Sequence, residues 1–262
     1  MQMIADNIQV TDPLIAKALD EMDPVPIQDL AIKCAAAGAH ILDINPGPLT
    51  RDGEKKMVFL VEAVQDVCEL PLSLDTSNPS AMAAGLQTCR KRPIVNGFSL
   101  EPAKLETILP LAARFDCNII GFLLHSNGMV PGSADERLLL SVQLLDALNE
   151  KGIEPDRLMI DPVLVPLMWE DGPRQAMELL TVIRMLPELL GFPVKTVVGL
   201  SNLTSGNGPK EKKRLLEGVY VPMLASAGLD RVLMNLFHQN TVSVVRACEL
   251  ITRQGTFSWA AA

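Results

Sequence analysis

Carboxylates and carboxamides recur in this chain at one kind of place, the end of a short apolar run. The runs are His40-Ile41-Leu42-Asp43-Ile44-Asn45, Pro71-Leu72-Ser73-Leu74-Asp75 and Pro93-Ile94-Val95-Asn96, then Leu158-Met159-Ile160-Asp161 and Thr196-Val197-Val198-Gly199-Leu200-Ser201-Asn202. Asp and Asn accept and donate hydrogen bonds but are poor nucleophiles. An ionised carboxylate accepts at two oxygens, so it matches a ligand edge with two adjacent N–H donors, such as the 2-amino/N3 edge of a pterin. An Asn beside it donates and accepts, which suits the remaining mixed edge of such a ring. Any single strand-end Asp can instead cap a turn or the next helix. The set together is harder to explain that way.

The missing groups narrow the chemistry further. Lys195 precedes its apolar run, at the wrong end for a Schiff base. No Ser or Cys stands beside a His as in a nucleophile elbow. His125 alone follows a strand, while His40 precedes one and His238 lies beyond the last. No His/Glu cluster has metal-ligand spacing, and Gly199, Gly206 and Gly208 do not form a dinucleotide fingerprint. Cys34, Cys68, Cys89, Cys117 and Cys248 are scattered. Without CxxC spacing they read as buried thiols, four of them in helices, with no disulfide framework or zinc site. A site built this way holds two partners for direct transfer and polarises them, with no covalent enzyme intermediate.

Strands with polar C-terminal ends, alternating with helices, define the elements that must carry this site. Strands are expected at about Gln2–Ala5, His40–Ile44, Leu72–Asp75, Ile94–Asn96, Asn118–Leu124, Leu158–Ile160, Thr196–Leu200 and Arg231–Asn235. Helical sequence lies between them, at about Asp12–Leu19, Ile27–Gly38, Asp52–Cys68, Asn78–Arg90, Pro102–Phe115, Ser133–Lys151, Pro173–Leu186, a stretch reaching Ala227, and Thr241–Arg253. Asn78 before Pro79 and Ser133 before its helix have N-cap character, and Gly38 is a stop. The strands are short, apolar and rich in branched residues, as in a parallel sheet buried on both faces. The fold class expected is α/β, a single-domain (β/α)₈ TIM barrel over residues 1–262. Right-handed crossovers then gather Asp43, Asn45, Asp75, Asn96, Asp161, Ser201, Asn202 and Asn235 at one mouth.

Composition agrees with such a barrel. The chain has 262 residues, 48% hydrophobic but only 4% aromatic, so its core is aliphatic. A net charge of −8 argues against a nucleic-acid partner. No basic leader segment and no apolar run of membrane-spanning length is evident, so a cytoplasmic protein without a membrane span is expected. A mean hydropathy of +0.23 is high for a water-soluble barrel and suggests a buried interface between subunits.

Leu74-Asp75-Thr76-Ser77-Asn78, Ile94-Val95-Asn96, Ile160-Asp161-Pro162 and Gly199-Leu200-Ser201-Asn202, together with Asp43-Ile44-Asn45-Pro46-Gly47, resemble the pterin-binding barrels. In detail they resemble the methyltetrahydrofolate:corrinoid protein methyltransferases, along essentially the whole chain. The resemblance implies transfer of a methyl group between N5 of methyltetrahydrofolate and the cobalt of a corrinoid carried by a partner protein, with no metal bound by this chain. It implies that Asp75, Asn96 and Asp161 hold the pterin edge, that Gly199 and Ser201 line the ring, that Asn45 assists, and that Asn202 acts on N5. It also implies a homodimer. Two segments depart from the family pattern. Ala5-Asp6-Asn7-Ile8-Gln9 stands where relatives carry Gly-Glu-Arg-x-Asn, and Lys210 is the nearest counterpart of an Arg in the loop after strand seven. Dihydropteroate synthase and a non-catalytic folate-binding protein are the alternative readings. The former needs a Lys-centred motif where Ser201-Asn202 stands and a Ser-x-Arg-x-His end to strand eight, and neither is present.

Overall fold

Eight parallel strands pair in sequence order, and the last pairs back onto the first, closing a barrel in the computed structural model, which describes residues 1–252 and Trp259. The strands are β1 (Gln2–Gln9), β2 (Ile41–Asn45), β3 (Leu72–Leu74), β4 (Ile94–Phe98), β5 (Asn118–Phe122), β6 (Leu158–Asp161), β7 (Lys195–Gly199) and β8 (Arg231–Met234). The helices are α1 (Pro13–Glu21) and α2 (Pro24–Ala36) after β1, then α3 (Gly53–Gln65), α4 (Pro79–Thr88), α5 (Pro102–Thr107), α6 (Leu109–Arg114), α7 (Ala134–Glu150), α8 (Gly172–Leu190), α9 (Lys210–Ala227) and α10 (Gln239–Thr252). The expected barrel is what folds, with shifts of a few residues at most element ends. Arg253, placed at the end of the last helix from sequence, lies outside the described residues.

Local chemistry explains the boundaries. Asn78 caps α4, its Oδ1 accepting from the Ala81 N–H, with Pro79 at the first helical position. Ser133 Oγ accepts from the Glu136 N–H at the start of α7. Gly38, with φ +99°, lets the chain leave α2 in a left-handed turn. The helix expected over 102–115 is instead two short ones, α5 and α6. Pro110 has no N–H to give to the preceding turn and its ring crowds the carbonyl four residues back. Cys34 and Cys248 lie in helices as expected, whereas Cys68 and Cys89 fall just past helix ends. All five thiols are free.

Two apolar layers hold the barrel. The larger lies between strands and helices, where residues such as Leu42, Leu74, Val95, Ile119, Ile160 and Val198 meet the helices. The smaller plugs the barrel interior with Ile4, Ile41, Ile94, Ile120, Met159 and Val197, against which Phe122 and Leu233 pack. Side chains alternate across a strand, so the plug fixes which residues face inward nearer the C-terminal mouth. Asp6 follows Ile4 on the inner face, Asp43 follows Ile41, Asn96 follows Ile94, Asp161 follows Met159 and Gly199 follows Val197.

Two irregularities adjust that alternation. In β1, Ala5 pairs with Leu42 and Ile8 with Ile44, so Asp6 and Asn7 together stand opposite Asp43. In β4, Asn96 pairs with Ile120 and Phe98 with Gly121, which leaves Gly97 as the extra residue. Both are β-bulges next to the mouth, a device that re-aims a side chain. Gly97 is required there, since a Cβ on it would lie 2.4 Å from the Ile120 carbonyl oxygen.

Candidate functional site

The mouth is lined by carboxylates that carboxamides hold in place. Asn45 Nδ2 donates to Asp75 Oδ2 at 2.7 Å, and Asn96 Nδ2 donates to Asp43 Oδ1 at 3.0 Å. Asn45 also ties the rim to the next loop, its Oδ1 accepting from the Gly47 N–H at 3.0 Å. Thr76 Oγ1 donates to the Gly47 carbonyl and Asn78 Nδ2 to the Leu49 carbonyl, each at 2.8 Å. Asp161 Oδ1 accepts from the Val163 N–H at 2.8 Å. Val163 has φ +61°, a conformation costly for a β-branched residue and commonest at functional sites. The Pro162 carbonyl between them is held from behind by the fully buried Arg137, whose Nε donates to it at 2.9 Å.

Burial governs the charge state of this ring. It pushes Asp75 up to about 7, helped by the nearby Asp43 charge and opposed by Lys104. It raises Asp161 to about 7, against the lowering effect of the Val163 N–H. Asp43 rises to about 6, the Asn96 bond restraining the shift. Asp6 rises to about 7 through burial, then through the charges of Asp43 and Glu217. No described residue donates to Asp75 Oδ1 or Asp161 Oδ2, so each keeps one oxygen able to accept.

Strand seven supplies the other wall. Gly199 ends β7 buried, and a short 3₁₀ turn, Leu200–Thr204, follows. Leu200 and Leu203 point into the core, while Ser201 and Asn202 are exposed at the rim. The Asn202 Nδ2 lies back over Gly199, 3.1 Å from where a Cβ would stand. The fold thus brings Asn45, Asp75, Asn96, Asp161, Gly199, Ser201 and Asn202 to one end of the barrel. Of these, Asn45 and Asp75 are bonded to each other, Asn96 is bonded to Asp43, and the Asn202 side chain has no hydrogen-bonded partner among the described residues.

Other residues belong to this end that sequence reasoning passed over. Asp6 was legible only as a departure from a motif. Reading β1 as ending at Ala5 hid that Asp6 lies two residues after the inward Ile4. Its Oδ1 is buried and has no hydrogen-bond partner among the described residues. Asn7 is buried and staples β1 to the end of β8, its Nδ2 donating to Asn235 Oδ1 at 3.0 Å and its Oδ1 accepting from the Leu236 N–H at 3.1 Å. Asn235 is therefore engaged at the mouth in bracing the closure. Lys104, on α5, is the cation whose charge reaches Asp75, and a helix position gave no sequence signal for it. Lys210 opens α9 exposed, and Lys195 sits at the far end of β7 beside Asp230 at 3.3 Å. Among the described residues no group of three or more His, Cys, Asp or Glu is arranged to hold a metal ion, and no helix is long and apolar enough to cross a membrane.

A closed eight-stranded parallel barrel with helices between its strands and an inward ring of hydrogen-bonding acids defines the class, a (β/α)₈ barrel. Solved structures share the fold. A dihydropteroate synthase from Coxiella burnetii in complex with pteroic acid superposes with a TM-score of 0.69 at 17% identity, covering 94% of this chain and 91% of that one. A dihydropteroate synthase from Xanthomonas albilineans gives 0.69 at 18% identity, covering 97% and 94%. The sequence pattern of the pterin binding enzymes matches residues 10–235, and the chain belongs to that family. Among curated proteins, it is 23% identical over 254 residues to the methylcorrinoid:tetrahydrofolate methyltransferase of Eubacterium limosum, spanning 96% of this chain and 91% of that protein. It is 24% identical over 216 residues to methionine synthase of Mycobacterium tuberculosis, spanning 79% of this chain and 18% of that much longer protein.

Proposed function

We propose that this protein transfers a methyl group between N5 of methyltetrahydrofolate and the cobalt of a corrinoid carried by a partner protein. The observation that carries the reading is the mouth itself. Two carboxylates each keep an accepting oxygen, a carboxamide stands beside them, and one further carboxamide, Asn202, lies unpaired above. Similarity to the Eubacterium limosum enzyme over nearly the full length of both chains supports the same reading.

In this reading Asp75 and Asp161 accept from the pterin N–H donors, and Asn96, fixed by Asp43, meets the mixed edge. Gly199 leaves room for the ring and Ser201 lines it, with Asn45 holding Asp75. Transfer breaks the C–N5 bond, whose electron pair stays on nitrogen, while the cobalt(I) lone pair forms the new bond to carbon. A neutral amine leaves far more easily than an amide anion, so N5 must gain a proton or a strengthening hydrogen bond. In this reading the Asn202 carboxamide supplies the hydrogen bond. It is not acidic enough to supply the proton. No covalent enzyme intermediate is required in this reading, because cobalt(I) attacks the methyl carbon directly. A dihydropteroate synthase-like activity is the weaker reading, since Lys195 is at the opposite end of β7 from the site.

The partners in this proposal are a corrinoid protein and a second copy of the chain. Apolar side chains left exposed on α9, Leu215, Leu216 and Val219, favour a homodimer. Sedimentation at twice 28.4 kDa is expected, and a monomer mass at micromolar concentration would remove it.

The decisive experiment mixes the protein with methyltetrahydrofolate and reduced cobalamin, free or on a corrinoid protein, and follows the cobalt(I) absorbance. Loss of that band with gain of methylcobalt is expected. Asn202→Ala should slow the step by about 10²-fold or more, the scale of losing one transition-state donor, with folate affinity nearly unchanged. No spectral change with any corrinoid would sink the reading, and an unslowed variant would remove Asn202 from its role.

A further inference from the structure

The 3₁₀ turn that carries Asn202 is fastened at its far end by a buried carboxylate on a neighbouring helix. Thr204, the last residue of the turn, donates through Oγ1 to Glu217 Oε1 at 2.5 Å. Glu217 lies on α9 and is buried. Its second oxygen stands 3.7 Å from His238 Nδ1, just beyond β8. An acid without a close cation is costly to bury, and the charge of this one reaches Asp6. What it grips is one hydroxyl of the turn.

The remaining fastenings of the turn are on its backbone and its buried leucines. The Leu203 carbonyl accepts from the Leu167 N–H at 2.9 Å, which joins the turn to the loop after β6. The Ser205 N–H donates to the Asn202 carbonyl at 3.2 Å and Ser205 Oγ to the Ser201 carbonyl at 3.2 Å. None of these touches the Asn202 side chain. The arrangement fixes the backbone at 202 firmly and leaves the carboxamide free. That division suits a group whose hydrogen bond must form late, during transfer, from a fixed pivot.

We propose that Thr204 and Glu217 are positioning residues for Asn202, and that the Thr204–Glu217 bond sets the register of the turn on which the carboxamide swings. The inference rests on the reading of Asn202 given above. Neither residue is hydrogen-bonded to Asp75, Asn96 or Asp161, so the bond governs the rate of transfer and not the grip on folate.

The experiment measures single-turnover methyl transfer to cobalt(I) cobalamin and folate affinity in four variants: Thr204→Val, Thr204→Ser, Asn202→Ala, and the double variant Asn202→Ala/Thr204→Val. Thr204→Val keeps the shape and removes the donor. A fall in rate of about tenfold is expected, with folate Kd within twofold, and Thr204→Ser should restore most of the rate. Because Thr204 acts through Asn202, the double variant should be no slower than Asn202→Ala alone, a non-additivity that general destabilisation does not produce. Unchanged rate in Thr204→Val beside a slow Asn202→Ala overturns the positioning role. So do fully additive losses, no recovery in Thr204→Ser, or a parallel loss of folate affinity. If Asn202→Ala itself transfers at the full rate, the failure lies with the reading of Asn202, and the positioning role falls with it.

Discussion

In the proposed role each mouth carboxylate does two opposed things. It must be buried enough to exclude water from a ligand edge, and ionised enough to accept hydrogen bonds from it. Burial has moved Asp75 and Asp161 to about 7, so near neutrality each is shared between its two forms. Pterin N–H donors bind the ionised form, and by linkage the ligand pulls these groups downward. Affinity for a pterin should therefore strengthen as pH rises from 6 to 8, by severalfold at least, since one protonated group weakens binding by up to about tenfold per pH unit below its pKa. Calorimetric titration with a pterin analogue lacking a basic N5 isolates this effect from N5 protonation. Asp161→Asn should bind more weakly at pH 8 and show a flatter profile. A profile already flat in the unsubstituted protein would mean that both acids are ionised throughout, or that they do not meet the donor edge.

The elements decide how much of this was legible in the sequence. Eight short apolar runs, most of them with polar ends, pointed to the barrel, because a strand buried on both faces leaves an unmistakable composition, and Asn78 and Ser133 marked helix starts through cap chemistry alone. The bulges were not legible. Nothing in Ala5-Asp6-Asn7-Ile8 says that two residues oppose Asp43, because a bulge is set by the partner strand's register and not by local propensity. Likewise Lys104 and Glu217 lie on helices, where a charge ordinarily faces solvent. Only packing reveals that one reaches Asp75 and the other grips Thr204. The bulge at Gly97 can be tested as an element. A Cβ there meets the Ile120 carbonyl at 2.4 Å, so Gly97→Ala must push β4 and β5 apart beside Asn96. Chemical denaturation should show a loss of about 1–3 kcal/mol, the range for overpacking, and folate affinity should fall as Asn96 leaves Asp43. Gly218→Ala in α9, where a Cβ has nothing within 4 Å, should instead gain about 0.5–1 kcal/mol from helix propensity. Equal responses at the two glycines would mean that β4 tolerates the extra atom.

At the scale of the molecule, the site is a load that the rest of the barrel must carry. Asp6, Asp43, Asp75 and Asp161 all sit above an aliphatic plug and all have pKa values raised to about 6 or 7. The sign follows from proton counts. Between about pH 4 and 7 the folded chain holds protons on these acids that the unfolded chain has released, so stability falls as pH rises across that window and levels off above it. The denaturation midpoint of the ligand-free protein should therefore be lower at pH 8 than at pH 5.5. Asp6 offers the sharpest test, because its buried Oδ1 has no partner to lose. Its shift from 3.8 to about 7 sets an upper bound on the order of 4 kcal/mol for the cost of ionising it in place. The neighbouring acids share that cost. Asp6→Asn should thus stabilise the protein by roughly 2 kcal/mol at pH 8 and by little at pH 5, with the pH dependence of the midpoint reduced in step. A variant equally stabilised at both pH values would place the gain in packing, and a destabilised one would show that Asp6 finds a partner in solution. Retained folate affinity in Asp6→Asn would further separate the acid that burdens the fold from Asp75 and Asp161, the acids proposed to grip the ligand.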